Sequence, residues 1–584
     1  MFSVLGKLGW FFKKHWKRYT IAIILLQIVN VFEVIPPKLI GIAIDEMTIG
    51  AMTKERLFQI VGFYLGLMIV NYILCYVWMY QLFGGSFLVE RTMRSSFMRH
   101  LLKMTPTFYE KYRTGDLMAR ATNDLKAISI TAGFGILTLV DSSLFMITIL
   151  LVMGFTISWQ LTIAALLPLP IMALLMNRYG KLIHKRYTLA QDSFGELNDQ
   201  VLESVSGVRV IRAYVQEKAD NKRFANMTDD VYKKNIEVAK IDSLFEPTIK
   251  VLVGISYLIG LGYGAYLVFH NTLTLGQLVS FNVYLGMMIW PMFAVGELIN
   301  ILQRGNASLD RVNETLDYKP DVKDTEDVVS FHNPDEIIFD QVTFRYPSSQ
   351  VDNLKDISFS LKRGQTLGIV GKTGSGKTTL VKQFLREYPP GTGKVSISNV
   401  PIEEISLSQL QSWLGYVPQQ QILFSRSVKE NILFGVSDTS EKRLNDVVEL
   451  SSLAGDIENL PQGMQTLVGE KGVALSGGQK QRISIARALL VNPEILLLDD
   501  AMSAVDGKTE AKIINSIRNE RAGKTTLITT HRLSAVQHAD WILVLDEGRI
   551  VEEGTHKQLL ESGGWYLEQY ERQQLEAGLS EGVV

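Results

Sequence analysis

Cysteine occurs once in 584 residues, at Cys75, inside an apolar run. That count excludes an intramolecular disulfide framework and any cysteine-cluster metal site. An excess of one charge is missing too: 59 Lys and Arg face 60 Asp and Glu, a formal net charge of -1. Such a balance provides no basic field for nucleic acid, and no nucleic-acid partner is expected. Polar residues are too few for a fully soluble chain and too many for a pure membrane bundle, with 47% hydrophobic, 20% charged and mean hydropathy +0.12. Disorder, collagen-like repeats and a small secreted scaffold are excluded as well. One hydrophobic core cannot serve this length, since domains usually hold about 100–200 residues. The long apolar runs all end near Leu302, so two unlike halves are expected.

Crossing about 30 Å of hydrocarbon takes roughly 20 apolar residues. Six stretches suffice, approximately 20–44, 57–82, 130–155, 158–178, 248–270 and 277–302. The first is too long for a cleaved signal peptide and lacks its small-residue cleavage pattern. Ahead of it, Leu5, Leu8, Phe11, Phe12 and Trp16 alternate with Lys7, Lys13, Lys14, Lys17 and Arg18, the pattern of an amphipathic helix in the headgroup layer. The loops at 156–159 and 271–276 carry no charge. The connection between spans two and three is rich in Arg and Lys, from Arg91 to Lys126, and so is that between four and five, from Arg178 to Arg223. The positive-inside rule therefore puts both termini and both long loops in the cytoplasm of a multi-pass plasma-membrane protein. Those loops are helix-patterned, so the helices should continue beyond the membrane.

Several residues within the spans would be penalised by lipid alone. Pro36, Pro37, Pro168, Pro170 and Pro291 free backbone carbonyls that neighbouring helices or water must satisfy. Gly260 and Gly264 form a close-packing pair. Glu33, Asp141 and Glu297 are expected to face an interior. Phe145, Met146, Met153, Met287, Met288, Trp290 and Phe293 are candidates for an adaptable apolar cavity, against ordinary helix packing.

From about Glu336 the pattern changes to short β-rich runs, turns and helices. A strand at Leu367–Val370 runs into Gly371-Lys372-Thr373-Gly374-Ser375-Gly376-Lys377-Thr378, followed by Thr379 and a helix. This is GxxxxGK[ST] in its strand–loop–helix setting, a loop for the phosphates of a nucleoside triphosphate. Glycines let successive N–H groups face the phosphates, Lys377 reaches the β and γ oxygens, and Thr378 offers a hydroxyl to Mg²⁺. Ile495–Leu498 leads to Asp499 and Asp500, which puts Asp499 where it can hold the Mg²⁺ shell.

Between these motifs stands Leu475-Ser476-Gly477-Gly478-Gln479. It resembles the signature of ATP-binding-cassette proteins, presented to ATP held by an opposing cassette. The resemblance extends over essentially the whole chain, and it implies a six-helix all-α transmembrane domain followed by an α/β P-loop ATPase domain. The expected limits are 1–310 for the membrane domain, 311–335 for a linker, 336–575 for the ATPase domain and 576–584 for a tail. Matched residue by residue, it implies that Tyr346 stacks on adenine and that Gln419 senses Mg²⁺ and the attacking water. By the same match Ser503, Ala504 and Asp506 form the D-loop, and His531 contacts the γ-phosphate. Thr466–Glu470 resembles an exporter-specific loop, and Arg113–Leu117 and Ser206–Ile211 resemble the two coupling-helix regions of type-I exporters.

One position departs from the family. The residue after the carboxylate strand's Asp is normally Glu, the general base on water; here it is Asp500. Losing one CH₂ retracts the carboxylate by about 1.5 Å, enough to spoil a bond made at about 2.6–3.2 Å. With an intact signature, this resembles one half of a heterodimeric multidrug exporter whose partner half carries the catalytic Glu. Membrane lipid and amphipathic drug-like molecules are the implied partners, and ATP and Mg²⁺ the cofactors. A homodimeric lipid or lipopeptide flippase and an ATP-binding regulatory subunit are the alternatives.

Overall fold

The computed structural model describes residues 3–324, 329, 331–469 and 472–581. Glu470, at the end of the exporter-like loop, lies outside the described residues, as do parts of the expected linker (325–328 and 330) and of the tail (582–584). Two compact units emerge: Met1–Arg99 with Met118–Asp317, and His100–Leu117 with Tyr318–Val584.

The described residues of the first unit form helices and no strand. Five of its helical runs are long and apolar enough to cross a membrane: Trp16–Thr48, Lys54–Leu101, Thr114–Ser206, Glu217–Phe269 and Leu275–Asp317. Two of the six expected spans, 130–155 and 158–178, share the third run. Within it, Ser158 is extended at φ -166° and ψ 127° and caps the next helix by accepting the Leu161 N–H. At 1.5 Å per residue the 48-residue helix Lys54–Leu101 is about 72 Å long, more than twice the hydrocarbon thickness. The helices thus outrun the membrane, as their loop patterning implies. The last one continues to Asp317, through the residues where the linker is expected to begin; helical propagation adds one backbone bond per residue, and nothing in Arg311–Asp317 interrupts it.

Prolines end or kink these helices, and neighbours satisfy what they free. The first run breaks at Val34, just before Pro36 and Pro37. Across that break Tyr284 donates its hydroxyl to the Val34 carbonyl at 2.6 Å, and Ser280 donates to the Pro37 carbonyl at 2.8 Å. The crossing is very close: a Cβ on Gly276 would lie 1.9 Å from the Gly41 carbonyl oxygen. Asp45 secures it by accepting the Gly276 N–H at 2.7 Å and the Thr274 hydroxyl at 2.6 Å. Gly260 and Gly264 likewise pack against Phe281 and Leu278.

Some expectations about the spans are corrected. Phe145, Met153 and Met288 are buried in the packed helix core with Ile149, Phe281 and Tyr284, the ordinary helix packing that stood as the alternative to a cavity. Trp290 and Phe293 are half-exposed. Asp141 is buried and accepts the Trp290 indole N–H at 2.9 Å, whereas Glu33 and Glu297 are exposed on this chain. At the N-terminus Val4, Leu8 and Phe11 are fully buried while Trp10 and Trp16 stay exposed.

The second unit holds two sheets. Strands β1 (Glu336–Phe344), β2 (Leu354–Lys362), β4 (Thr392–Ile397) and β5 (Val400–Pro401) form an antiparallel sheet in the order β2-β1-β4-β5. The larger sheet contains β3 (Thr366–Gly371), β6 (Leu414–Val417), β7 (Ile495–Asp499), β8 (Thr525–Thr529), β9 (Trp541–Asp546) and β10 (Arg549–Gly554), in the order β10-β9-β3-β8-β7-β6. All its neighbours pair in parallel except β10 with β9. Every residue of β7 and β8 is buried, the expected composition of central parallel strands covered on both faces. The last described element is a helix, Trp565–Glu581, which runs on through 576–581; Gln573 and Tyr566 tie it to the unit.

Candidate functional site

Parallel pairing decides where the chemistry collects. The register pairs Asp499 with Thr529 and Ile369 with Thr529, so the carboxyl ends of β3, β7 and β8 lie side by side. In open parallel sheets ligands bind at that edge. It assembles the loop after β3, Asp499 and Asp500 after β7, and His531 two residues beyond β8.

The loop after β3 needs its glycines. Gly371, Gly374 and Gly376 have φ of +147°, +83° and +105°. A Cβ on Gly371 would also meet the Leu545 carbonyl oxygen at 2.1 Å. The helix Lys377–Phe384 then begins with its N–H groups directed at the loop, a ready anion site. Lys377 is buried, and its ammonium donates to the carbonyls of Gly371 and Lys372 at 2.8 Å each. Burial pulls its pKa down to about 8, against the pull of Asp500 and Asp499. The Lys372 side chain turns outward to Asp546.

Asp499 is 1% exposed. Its Oδ1 accepts hydrogen bonds from Thr378 at 3.0 Å and Thr529 at 2.6 Å. Its Oδ2 is buried with no partner among the described residues. Burial holds the carboxyl above the usual carboxylate range despite those two bonds. A buried acceptor without a donor, beside the Thr378 hydroxyl, fits a Mg²⁺ shell completed by phosphate oxygens and water. No cluster of three or more His, Cys, Asp or Glu could hold a metal among the described residues, so an all-protein cage is not the alternative.

Asp500 sits in the left-handed region at φ +47°, where Asp is tolerated better than most side chains. Its N–H donates to the Thr529 carbonyl at 2.9 Å. Its charge acts on both Lys377 and His531. Burial and the Lys377 ammonium hold His531 below its usual pKa, with Asp500 and the Gly371 carbonyl opposing. Tyr346 donates its hydroxyl to Thr379 at 3.1 Å and packs edge-on against Tyr388, with ring centroids 5.0 Å apart. Gln419 lies exposed two residues past β6 and makes no side-chain bond to Asp499 or Thr378 among the described residues, so it is not assembled with them here.

The signature residues form a second cluster. Ser476 caps the helix Gly477–Leu490 in a reciprocal box with Gln479, whose Oε1 accepts the Ser476 N–H while its Nε2 donates to Asp456. Gly478 lies so close to the D-loop that a Cβ would be 2.8 Å from the Ala504 carbonyl oxygen. Gln481 joins the two segments, donating to the Ser503 hydroxyl at 3.0 Å and accepting the Ala504 N–H at 2.9 Å. Asp506 caps the helix Gly507–Glu520.

Several participants are absent from any motif. Thr529 supports Asp499, and the only sequence signal is two threonines closing an apolar strand. Arg532 reaches the Val505 and Ser503 carbonyls and the buried Glu510. In the helix Pro106–Lys111, Glu110 accepts the Tyr388 hydroxyl at 2.6 Å. The docked residue of that loop thus precedes the expected Arg113–Leu117 region. The helix Val208–Ala213 buries none of its side chains.

Comparison with known proteins agrees with this layout. Residues 19–292 match the family described as ABC transporter transmembrane region, and residues 354–503 match the family described as ABC transporter. The chain is 65% identical over 575 residues to the "Probable multidrug resistance ABC transporter ATP-binding/permease protein YheI" of Bacillus subtilis, covering 98% of both. It is 42% identical over 578 residues to the "Multidrug resistance-like ATP-binding protein MdlA" of Escherichia coli, covering 99% of this chain and 98% of that one. Its fold resembles a solved bacterial Atm1-family ABC exporter with ATP bound, with TM-score 0.77, 24% identity and coverage of 95% and 98%.

Proposed function

The chain belongs to the ATP-binding-cassette exporters, which couple an ATPase to a membrane-spanning domain, and on that premise we propose that it is one half of an unequal pair that expels amphipathic drugs. The carrying observation is Asp500, one methylene shorter than the family's general base and held in a left-handed backbone that suits Asp. The multidrug names of the two relatives support the substrate class.

In this reading the glycine loop and the helix beginning at Lys377 bind the triphosphate, and Lys377 moves from its carbonyl partners to the β and γ oxygens. Tyr346 stacks on adenine. Thr378 and Asp499 would hold Mg²⁺, which when bound neutralises charge on the β and γ phosphates. His531 contacts the γ-phosphate, and Gln419 must swing in to meet the nucleotide. Asp500 stands too far back to prime water, so this site holds ATP and turns it over slowly. The signature Leu475–Gln479 offers a helix N-terminus to the γ-phosphate of the partner's site, where the partner's Glu acts. Closure of two cassettes over two nucleotides favours the outward-facing state, and product release resets it. The cassette and both termini face the cytoplasm of the plasma membrane.

Purification of the chain alone and with its partner half tests this. Slow hydrolysis alone, fast drug-stimulated hydrolysis together and loss of that stimulation in Ser476→Ala are expected. Rapid turnover and transport by the chain alone would sink the unequal pair.

A further inference from the structure

Strand β8 ends at Thr529, and the Thr530 N–H makes the last backbone bond to β3, at the Ile369 carbonyl. The next residue, His531, carries its imidazole against the Gly371 carbonyl of the phosphate loop. We infer that Gln573, on the C-terminal helix Trp565–Glu581, is a positioning residue for His531. It clamps the peptide groups on both sides of Arg532 and so sets where the imidazole reaches. The inference rests on the γ-phosphate role proposed above for His531.

One amide side chain makes both halves of the clamp. Gln573 Nε2 donates to the His531 carbonyl at 2.9 Å, and Gln573 Oε1 accepts the Leu533 N–H at 2.9 Å. The carboxamide serves both partners at once, whereas a carboxylate has no donor and an alkyl group has neither. The two ends lie 42 and 40 residues apart in the chain, so no local sequence rule produces the contact.

The clamp is mounted on a rigid base. Tyr566, the second residue of the C-terminal helix, is fully buried in the core that also contains Leu533, Ala535 and Val536. Its hydroxyl meets His556 Nδ1 at 2.8 Å. The Glu552 carboxylate accepts the N–H groups of Trp565 and Tyr566, which answers the unpaired donors and positive end of that helix.

The opposite side of the loop is held as firmly. Arg532 donates to the Val505 carbonyl at 2.7 Å, to Glu510 at 2.8 Å and to the Ser503 carbonyl at 3.1 Å. Arg532 therefore ties the loop to the D-loop while Gln573 ties its backbone to the C-terminal helix. Together they hold the backbone on either side of Arg532, next to the imidazole of His531. Removing Gln573 takes their partner from the His531 carbonyl and from the N–H of the buried Leu533, and so frees the backbone that carries the imidazole.

The test compares dissociation constants for a non-hydrolysable ATP analogue and for ADP, both with Mg²⁺, in the full-length chain and its H531A, Q573L, Q573E and H531A/Q573L variants. Because H531A removes a bond to a charged group, it should lower the preference for the triphosphate about tenfold, and Q573L about fivefold. ADP affinity should stay within about twofold, since the loop and Tyr346 are untouched. Q573E, which keeps the acceptor but loses the donor, should fall between wild type and Q573L. In the H531A background Q573L should change nothing further, and hydrogen exchange at the Leu533 amide should accelerate in Q573L. An unchanged preference in Q573L beside a lowered one in H531A overturns the inference, as does an equal loss of ADP affinity or an additive double variant. If H531A itself leaves the preference unchanged, the γ-phosphate role fails; unchanged Leu533 exchange in Q573L then overturns the clamp independently.

Discussion

Thr529 donates its hydroxyl to Asp499 at 2.6 Å, from the end of one buried parallel strand to the end of its neighbour. The bond favours the ionised carboxylate where burial opposes it. Thr529→Val keeps the shape and removes the donor. One hydrogen bond to a charged group is lost, so the Mg²⁺ concentration giving half-maximal nucleotide binding should rise about fivefold or more. A magnesium titration of binding checks this, and an unchanged midpoint would mean Thr378 alone keeps Asp499 ionised.

Asp500→Glu restores the longer acid. A positioned general base contributes roughly 10²–10⁴-fold, so ATP turnover by the nucleotide site of this chain should rise at least about tenfold, even against strain at φ +47°. Single-turnover hydrolysis measures it. A rate unchanged by the substitution would show that Asp500 already acts as base or that the attack fails for another reason.

Lys377 predicts a proton linkage. Its pKa lies at about 8 in the free chain, below the usual lysine value, and a bound triphosphate favours the ammonium form. Nucleotide binding above about pH 8 should therefore take up a proton, and affinity should fall as pH rises from there towards the ordinary lysine range near about 10.4. Calorimetry at pH 9 in buffers of different ionisation enthalpy reads the uptake. Equal heats in all buffers would contradict it.

Gly276→Ala tests the helix crossing. The added Cβ would lie 1.9 Å from the Gly41 carbonyl oxygen, and backbone cannot yield as a flexible side chain does. Overpacking of this kind costs about 1–3 kcal/mol, and more where backbone must move. The melting temperature of the detergent-solubilised chain should drop by several degrees, whereas Gly62→Ala, with open space around it, should not change it.

Much of the nucleotide site was legible because its motifs are local. Glycines at fixed offsets bend the loop around Lys377, and Ser476 with Gln479 caps the signature helix within four residues. A helical membrane domain was legible because lipid demands long apolar runs, although the count of six spans was not. For Phe145, Met153 and Met288 the sequence left helix packing and a cavity both open, because side-chain chemistry does not say which face of an all-apolar helix meets another helix. Gln419 kept its place in the order of motifs but not its contacts, since a loop residue's reach depends on what occupies the site.

Composition, spacing and apolar run length by themselves pointed to a membrane half and a triphosphate loop, because each depends on neighbours a few residues away or on bulk transfer into lipid; the signature and the shortened acid were read through the resemblance to a family. Only the tertiary structure decided that Thr378 meets Asp499 across 121 residues, that Glu110 meets Tyr388 across 278, and that Gln573 holds His531. Those contacts follow from strand order, register and docking of the last helix, which are settled by burial of the whole sheet and leave no mark on any short stretch of chain.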